Sequence, residues 1–184
     1  KAGNPVPGLH TVFNNFGVTY RTSSNDAFVR DFSGTGSVTF SIDVKVNDIS
    51  FFGTPQPRPW LIEIRDEDSA QGGYLYSSVW YKFADISAAT HGEWTTFSVT
   101  IDDPASAELP AGWGGYGDED PDTFEPVLPE GVTFGQIMAG VDEVVFTTFE
   151  PGFFFGFTDH DIVLDNISVT TGPAGCNAAD NAPA

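Results

Sequence analysis

The sequence predicts an all-β fold: a two-sheet antiparallel β-sandwich, wound as a jelly roll and carrying one long acidic loop. Three observations predict it. Short β-branched and aromatic runs alternate with clusters of Gly, Pro, Asn and Asp along the 184 residues. Two of those runs, SVTFSIDVKV and WTTFSVTI, alternate apolar and polar positions without a break. Only TFGQIMAG (133–140) offers a short helix. Strands that each keep one face wet are satisfied by packing two sheets over a shared core.

Taken in order, strands are expected at 11–20, 27–32, 37–47, 60–66, 74–84, 94–102, 142–149 and 161–170. In the third, Val38, Phe40, Ile42, Val44 and Val46 face one way, with Thr39, Ser41, Asp43 and Lys45 opposite. In the sixth, Phe97, Val99 and Ile101 oppose Thr96, Ser98 and Thr100. The last strand breaks its own rule. Ile162 and Leu164 share a parity that Ile167 and Val169 do not, so a β-bulge is expected at Asp165–Asn166. Asp165 then either caps backbone amides in the bulge or holds calcium beside backbone carbonyls and another acid. Residues 103–131 form an insertion rich in Pro, Gly, Asp and Glu. Within it, 118–130 carry six acids and no base, which reads as a lid over one sheet edge. Residues 1–171 make the sandwich domain, and 172–184 read as a linker or disordered tail.

Charge narrows the partners. There are 26 acidic and 7 basic residues, a net charge of −19. That excludes a nucleic-acid groove and disfavours anionic membranes. No run approaches the roughly 20 apolar residues that span a bilayer, so no membrane insertion is expected. No signal-like segment opens the chain, so a start after processing is expected. Cys176 stands alone in the tail, either paired with a partner elsewhere or free.

Catalytic patterns are weak. The histidines are His10, His91 and His160, and no G-x-S-x-G elbow accompanies them. In Asp159-His160-Asp161 neighbours on a strand point oppositely, so at most Asp159 and Asp161 converge, and no H-x-H or H-E-x-x-H appears. The segment EIRDED (63–68) lacks the spaced acids of glycoside hydrolysis. The chain is therefore read as no enzyme.

Binding has better material. In YLYSSVWYKF (74–83), Tyr74, Tyr76, Trp80 and Lys82 share one face with Ser78. Aromatic and polar groups together suit a sugar platform, with rings on C–H faces and donors on hydroxyls. Glu63 and Arg65 join that face if their strand is the neighbour, and Trp113 and Tyr116 would form its rim. The competing reading packs Trp80 and the tyrosines under the acidic loop. Phe153, Phe154, Phe155 and Phe157 are read as packing.

DIVLDNISV (161–169), with VDEVVF and GEWTTFSVTI before it, resembles extracellular jelly-roll modules over about residues 9–171. The nearest are carbohydrate-binding modules and laminin-B-like domains of secreted bacterial proteins of planctomycete type. The resemblance implies a secreted, extracellular or cell-surface domain that binds a polysaccharide or other glycan without catalysis. It also implies a structural calcium held by the last-strand aspartate, here Asp165; Asp161 and Asp159, which converge by strand parity, are the further candidate ligands. No acidic residue precedes Asp26, where the family places an N-terminal ligand. The tail GCNAADNAPA resembles the start of a dockerin-like C-terminal segment, implying that the chain stops just before it. The alternative is a structural or adhesive domain that self-associates or joins a cell-surface layer with no glycan site.

Overall fold

A computed structural model describes residues 3–5 and 7–173, so Cys176 and the rest of the tail lie outside the described residues. The chain opens with β1 (Leu9–Asn15), β2 (Thr19–Thr22), β3 (Ser37–Phe51), β4 (Thr54–Pro55), β5 (Arg58–Asp66) and β6 (Ser77–Ile86). Helix α1 (Ala88–His91), β7 (Thr95–Ile101), β8 (Trp113–Tyr116), β9 (Asp118–Glu119) and β10 (Pro126–Val127) follow. Helix α2 (Phe134–Ala139), β11 (Glu143–Thr147) and β12 (Thr158–Gly172) complete it.

Two five-stranded antiparallel sheets result. The first runs β1-β12-β3, with β7 and β4 along different parts of the free edge of β3, and the second runs β2-β11-β5-β6-β8. The expected parity of β3 holds: Val38, Phe40, Ile42, Val44 and Val46 are all buried in the core between the sheets. Ile62, Ile64 and Val79 meet them from the second sheet, and Phe134, Ile137 and Met138 of α2 close one side. Full burial of each such side chain contributes about 1.5–3 kcal/mol. The all-β sandwich is thus the fold.

The expected bulge is present. Pairing of β12 with β3 shifts between Asp165 and Ser168, and Asn166 adopts φ +50°. Helix α2 has the expected place, because Thr133 and Gln136 cap each other's backbone.

Four expectations are corrected. Residues 27–32 form a turn, not a strand: the amides of Phe28 and Val29 both donate to the Asn25 carbonyl. Phe28 and Phe32 plug the core from that turn, which gives the apolar run its reason without a ladder. The expected strand 11–20 divides at Gly17 into β1 and β2, which belong to different sheets. Residues 74–76 precede β6 rather than starting it. The insertion is partly ordered, since β8 extends the second sheet and β9–β10 form a hairpin.

Candidate functional site

The outer face of the second sheet departs from the hydrophobic-in, polar-out rule. Strand β5 is buried on both sides. Ile62 and Ile64 point into the core, while Leu61 and Glu63, of opposite parity, are buried too. The register explains who meets whom. One row across the outer face reads Glu143, Arg65, Ser78, Tyr116, and the next reads Val145, Glu63, Trp80, Gly114.

Arg65 organises the first row. Its Nε and Nη2 donate to Glu63 Oε2 at 3.0 and 2.6 Å, and its Nη1 donates to Glu143 Oε2 at 2.7 Å. Ser78 Oγ donates to the other Glu63 oxygen at 2.7 Å. Arg21 reaches Glu143 at 3.3 Å from the sheet edge. Burial alone would lower the Arg65 pKa, but the charge and hydrogen bonds of Glu63 outweigh it and raise it. The Arg65 guanidinium then lies 4.3 Å from the centre of the Tyr76 ring, a cation–π contact. Burial, followed by the charge of Glu63, pushes the Tyr76 hydroxyl up to about 12.

Tyr116 lies 5.4 Å from Tyr76, tilted by 37°, and 5.3 Å from Tyr74, edge-on at 87°, so three half-buried rings cluster with Tyr76 seated on the ionic floor. They edge a groove of about 380 Å³ with Gly72, Gly73 and Leu75. Trp80 lies flat on the backbone at Gly114, where an added Cβ would come within 2.4 Å of its ring. Its Nε1 donates to the Gly115 carbonyl at 3.3 Å. The acidic hairpin and the 150–153 segment meet at Pro126 and Gly152 and line, with Trp80, a second groove of about 360 Å³.

Of the residues expected in the platform, Tyr76, Glu63, Arg65, Trp80 and Tyr116 lie on the outer side of the second sheet, and Tyr74 packs against Tyr116. Two members are corrected. Trp113, 8% exposed, turns inward against Tyr81 and Phe134 at 5.6 and 5.5 Å, because on β8 its parity opposes that of Tyr116. Lys82 is neutralised away from the tyrosines by Asp85 at 2.9 Å and Glu150 at 3.2 Å. Sequence reasoning missed Glu143 and Arg21. The parity of Glu143 with Val145 in VDEVVF was the available signal.

The metal candidates do not converge. Asp159 accepts from Asn14 Nδ2 at 2.8 Å, and Asp161 meets His10 Nε2 at 2.7 Å and Asn47 Nδ2 at 2.8 Å. Asp165 lies four residues further along β12, roughly 13 Å by strand rise. There it caps backbone amides, accepting from Asn4 N at 2.5 Å and Asn166 N at 2.8 Å. The neighbouring acid is Asp43, buried on the outer side of the first sheet. Asp43 accepts from Thr96 Oγ1 at 2.5 Å, Asn166 Nδ2 at 2.8 Å and Asn4 Nδ2 at 3.1 Å. Burial would raise the Asp43 carboxyl, but these three donors together hold it below the usual carboxylate range. Among the described residues no three His, Cys, Asp or Glu side chains group as a metal site.

A cavity of about 530 Å³ opens elsewhere, at the sandwich edge between β7 and β8. Tyr81 and Trp113 form its inner wall, and Asp102, Asp103 and Glu108 its mouth. Trp113 offers little ring surface there, so the tyrosine face is the better candidate. No described histidine hydrogen-bonds a serine: His10 meets Asp161, His91 meets Thr90, and His160 meets Thr158. No protein-family model matches the chain, and no curated protein matches it either.

Proposed function

We propose that this chain is a secreted, non-catalytic carbohydrate-binding domain that takes its glycan on the Tyr74–Tyr76–Tyr116 face. The observation that carries the reading is the cluster of three rings, with Tyr76 seated on the Glu63–Arg65–Glu143 floor. Rings held by a salt-bridged base lose little freedom on binding, and pyranose C–H faces stack on them. The pairing of β1 with β12, β2 with β11 and β5 with β6 supports jelly-roll winding. Affinity electrophoresis through gels of neutral polysaccharides tests the reading. Tyr76→Ala and Tyr116→Ala should each abolish the retardation shown by the parent chain, with unchanged melting temperatures. Parent chains that run unretarded in every gel and assemble with concentration would favour the adhesive alternative.

A structural calcium belongs to the same proposal in reduced form. The Asp165 and Asp43 carboxylates and the Asn4 carbonyl are the oxygen donors near the bulge. Calcium takes roughly six to eight oxygens, so water would complete the set. Calcium should then raise the melting temperature through binding to the native state, and Asp165→Ala should remove most of the gain. Identical melting curves in calcium and in chelator would sink this part alone.

A further inference from the structure

The tyrosine face does not end at Tyr116. Tyr74 and Tyr116 also wall a hollow of about 250 Å³ that Asp118 and Glu119 line, next to the groove they edge with Tyr76. Phe124, Pro126 and Gly152 line that same hollow, and they recur in the Trp80 groove beside Glu125 and Glu150. Three hollows therefore adjoin through shared walls. A compact ligand fills one of them, whereas a linear one can lie across all three.

The shared walls are held in place. Strands β9 and β10 pair Glu119 with Pro126, and Asp120 fixes their turn by accepting from the amides of Asp122 and Thr123, each at 2.9 Å. Phe124 leaves that turn at φ +60°, a left-handed backbone that a bulky side chain rarely adopts, and is 74% exposed. Strain of this kind is retained at ligand clamps. Phe153, read from the sequence as packing, lines the Trp80 groove at 67% exposure, and Phe154 beside it is 79% exposed.

Charge selects the ligand. Lys82 answers Glu150 at 3.2 Å, but Asp118, Glu119 and Glu125 meet no base among the described residues. Arg65 is committed to Glu63 and Glu143 beneath Tyr76. The Tyr74 hydroxyl is pushed up by burial first and then by the charge of Glu119, with Tyr116 and Asp118 adding to it. The negative field thus reaches a wall shared by two hollows. Clefts lined by one sign of charge draw the opposite sign. A neutral glycan leaves the three carboxylates unanswered, and an acidic one is repelled. On the glycan reading above, we infer that the ligand is a linear polysaccharide bearing free amino groups, laid across the three hollows with its ammonium groups at Asp118, Glu119 and Glu125.

A glucosamine hexamer and its fully N-acetylated form, titrated calorimetrically into the parent chain, test this. At about pH 5.5 carboxylates are ionised and sugar amines protonated. The amine form should bind about tenfold tighter, the combined worth of three exposed ion pairs, and added salt should shrink that ratio. Asp118→Asn, Glu119→Gln and Glu125→Gln combined should remove the preference. Asp26→Asn, Glu93→Gln and Asp102→Asn combined, three exposed acids that line none of these hollows, should keep most of it. Equal affinity of the parent for both forms, or equal losses in the two triple variants, overturns the inference and leaves the glycan reading standing. Binding of neither form overturns it too, and the neutral gels then decide the glycan reading separately. A lysine hexamer that binds as tightly as the amine sugar would also overturn it and give the three acids to a basic peptide.

Discussion

The two outer faces of the sandwich obey different rules. On the first sheet the outward residues where β3 meets β7 include Thr39, Ser41, Ser98 and Thr100, small and hydroxylated, and the Thr39 and Thr100 oxygens lie 2.8 Å apart in solvent. On the second sheet the outward residues of β5 are Leu61, Glu63 and Arg65, and the first two are as buried as the core. The comparison separates a face that only has to be wet from one that holds something in place. A hydroxyl ladder can exchange each bond for water at little cost. A carboxylate enclosed like Glu63 cannot, since it persists only while Arg65 and Ser78 satisfy it.

The largest expected effect comes from breaking that enclosure. Arg65→Ala leaves Glu63 and Glu143 facing each other without their shared cation, and Tyr76 loses its seat. Removing one partner of a buried pair costs about 3–5 kcal/mol. Urea unfolding should show a loss toward the lower end, because the Arg65 side chain is still 18% exposed. Replacing Arg65 and Glu63 together by Met and Gln should recover much of it. A loss from Arg65→Ala below 1 kcal/mol would mean that this face is as indifferent as the other.

The wet face of the first sheet also encloses a charge, and that charge gives the next effect. Asp43 shares the parity of Thr39 and Ser41 yet is buried beneath Asn4 and Asn166. Its folded pKa is depressed, so it contributes stability that is present above the ordinary carboxylate range near pH 4 and lost as pH falls through the folded value. Asp43→Asn should lower stability at pH 7 and flatten the acid limb of the stability profile below the ordinary carboxylate range. A variant with the parent's acid limb would remove Asp43 from the account.

Legibility followed the same division. The alternation of Val38 through Val46 announced the first sheet because one face was apolar and the other wet. The parity break at Ile167 announced the bulge for the same reason. On β5 only Ile62 through Arg65 alternate, and that alternation makes Glu63 look like a surface acid until its row partners are known, although both faces of the strand are buried. Trp113 and Tyr116 were grouped by proximity in the chain, whereas β8 sends them to opposite faces. Phe28 and Phe32 read as strand because an apolar plug in a turn has the composition of a strand. Phe153 and Phe154 read as core because nothing in a sequence distinguishes an apolar run that packs from one that projects.

A subtler contrast lies in titration. Tyr76, seated on Arg65 beside Glu63, has its hydroxyl pushed up to about 12, above the ordinary value of 10.0. In the unfolded chain it ionises first, so from pH 10 to about 12 the native state holds the extra proton and stability falls as pH rises. Absorbance titration at the tyrosinate band should show a late-ionising component, to which Tyr20 and Tyr74 also contribute, that shrinks by the share of one tyrosine in Tyr76→Phe. The same variant should lose less stability over that interval. Titration of every tyrosine at the ordinary value would contradict the seating of Tyr76.

The smallest expected effect calibrates the rest. Thr39→Ala removes one side of the 2.8 Å pair with Thr100 on the exposed face of the first sheet. Both oxygens are already in reach of water, so the bond lost is replaced by hydration and Thr100 is left with no burial penalty. The net worth of such a bond is about 0.5–1 kcal/mol at most, and exposed substitutions commonly stay within 0.5 kcal/mol. Threonine also suits a strand slightly better than alanine, which adds a few tenths in the same direction. The measured loss should therefore fall below 1 kcal/mol, several-fold less than for Arg65→Ala in the same urea series. Equal losses at the two positions would show that enclosure is not what separates the faces, and the ionic floor under Tyr76 would then lose its claim to rigidity.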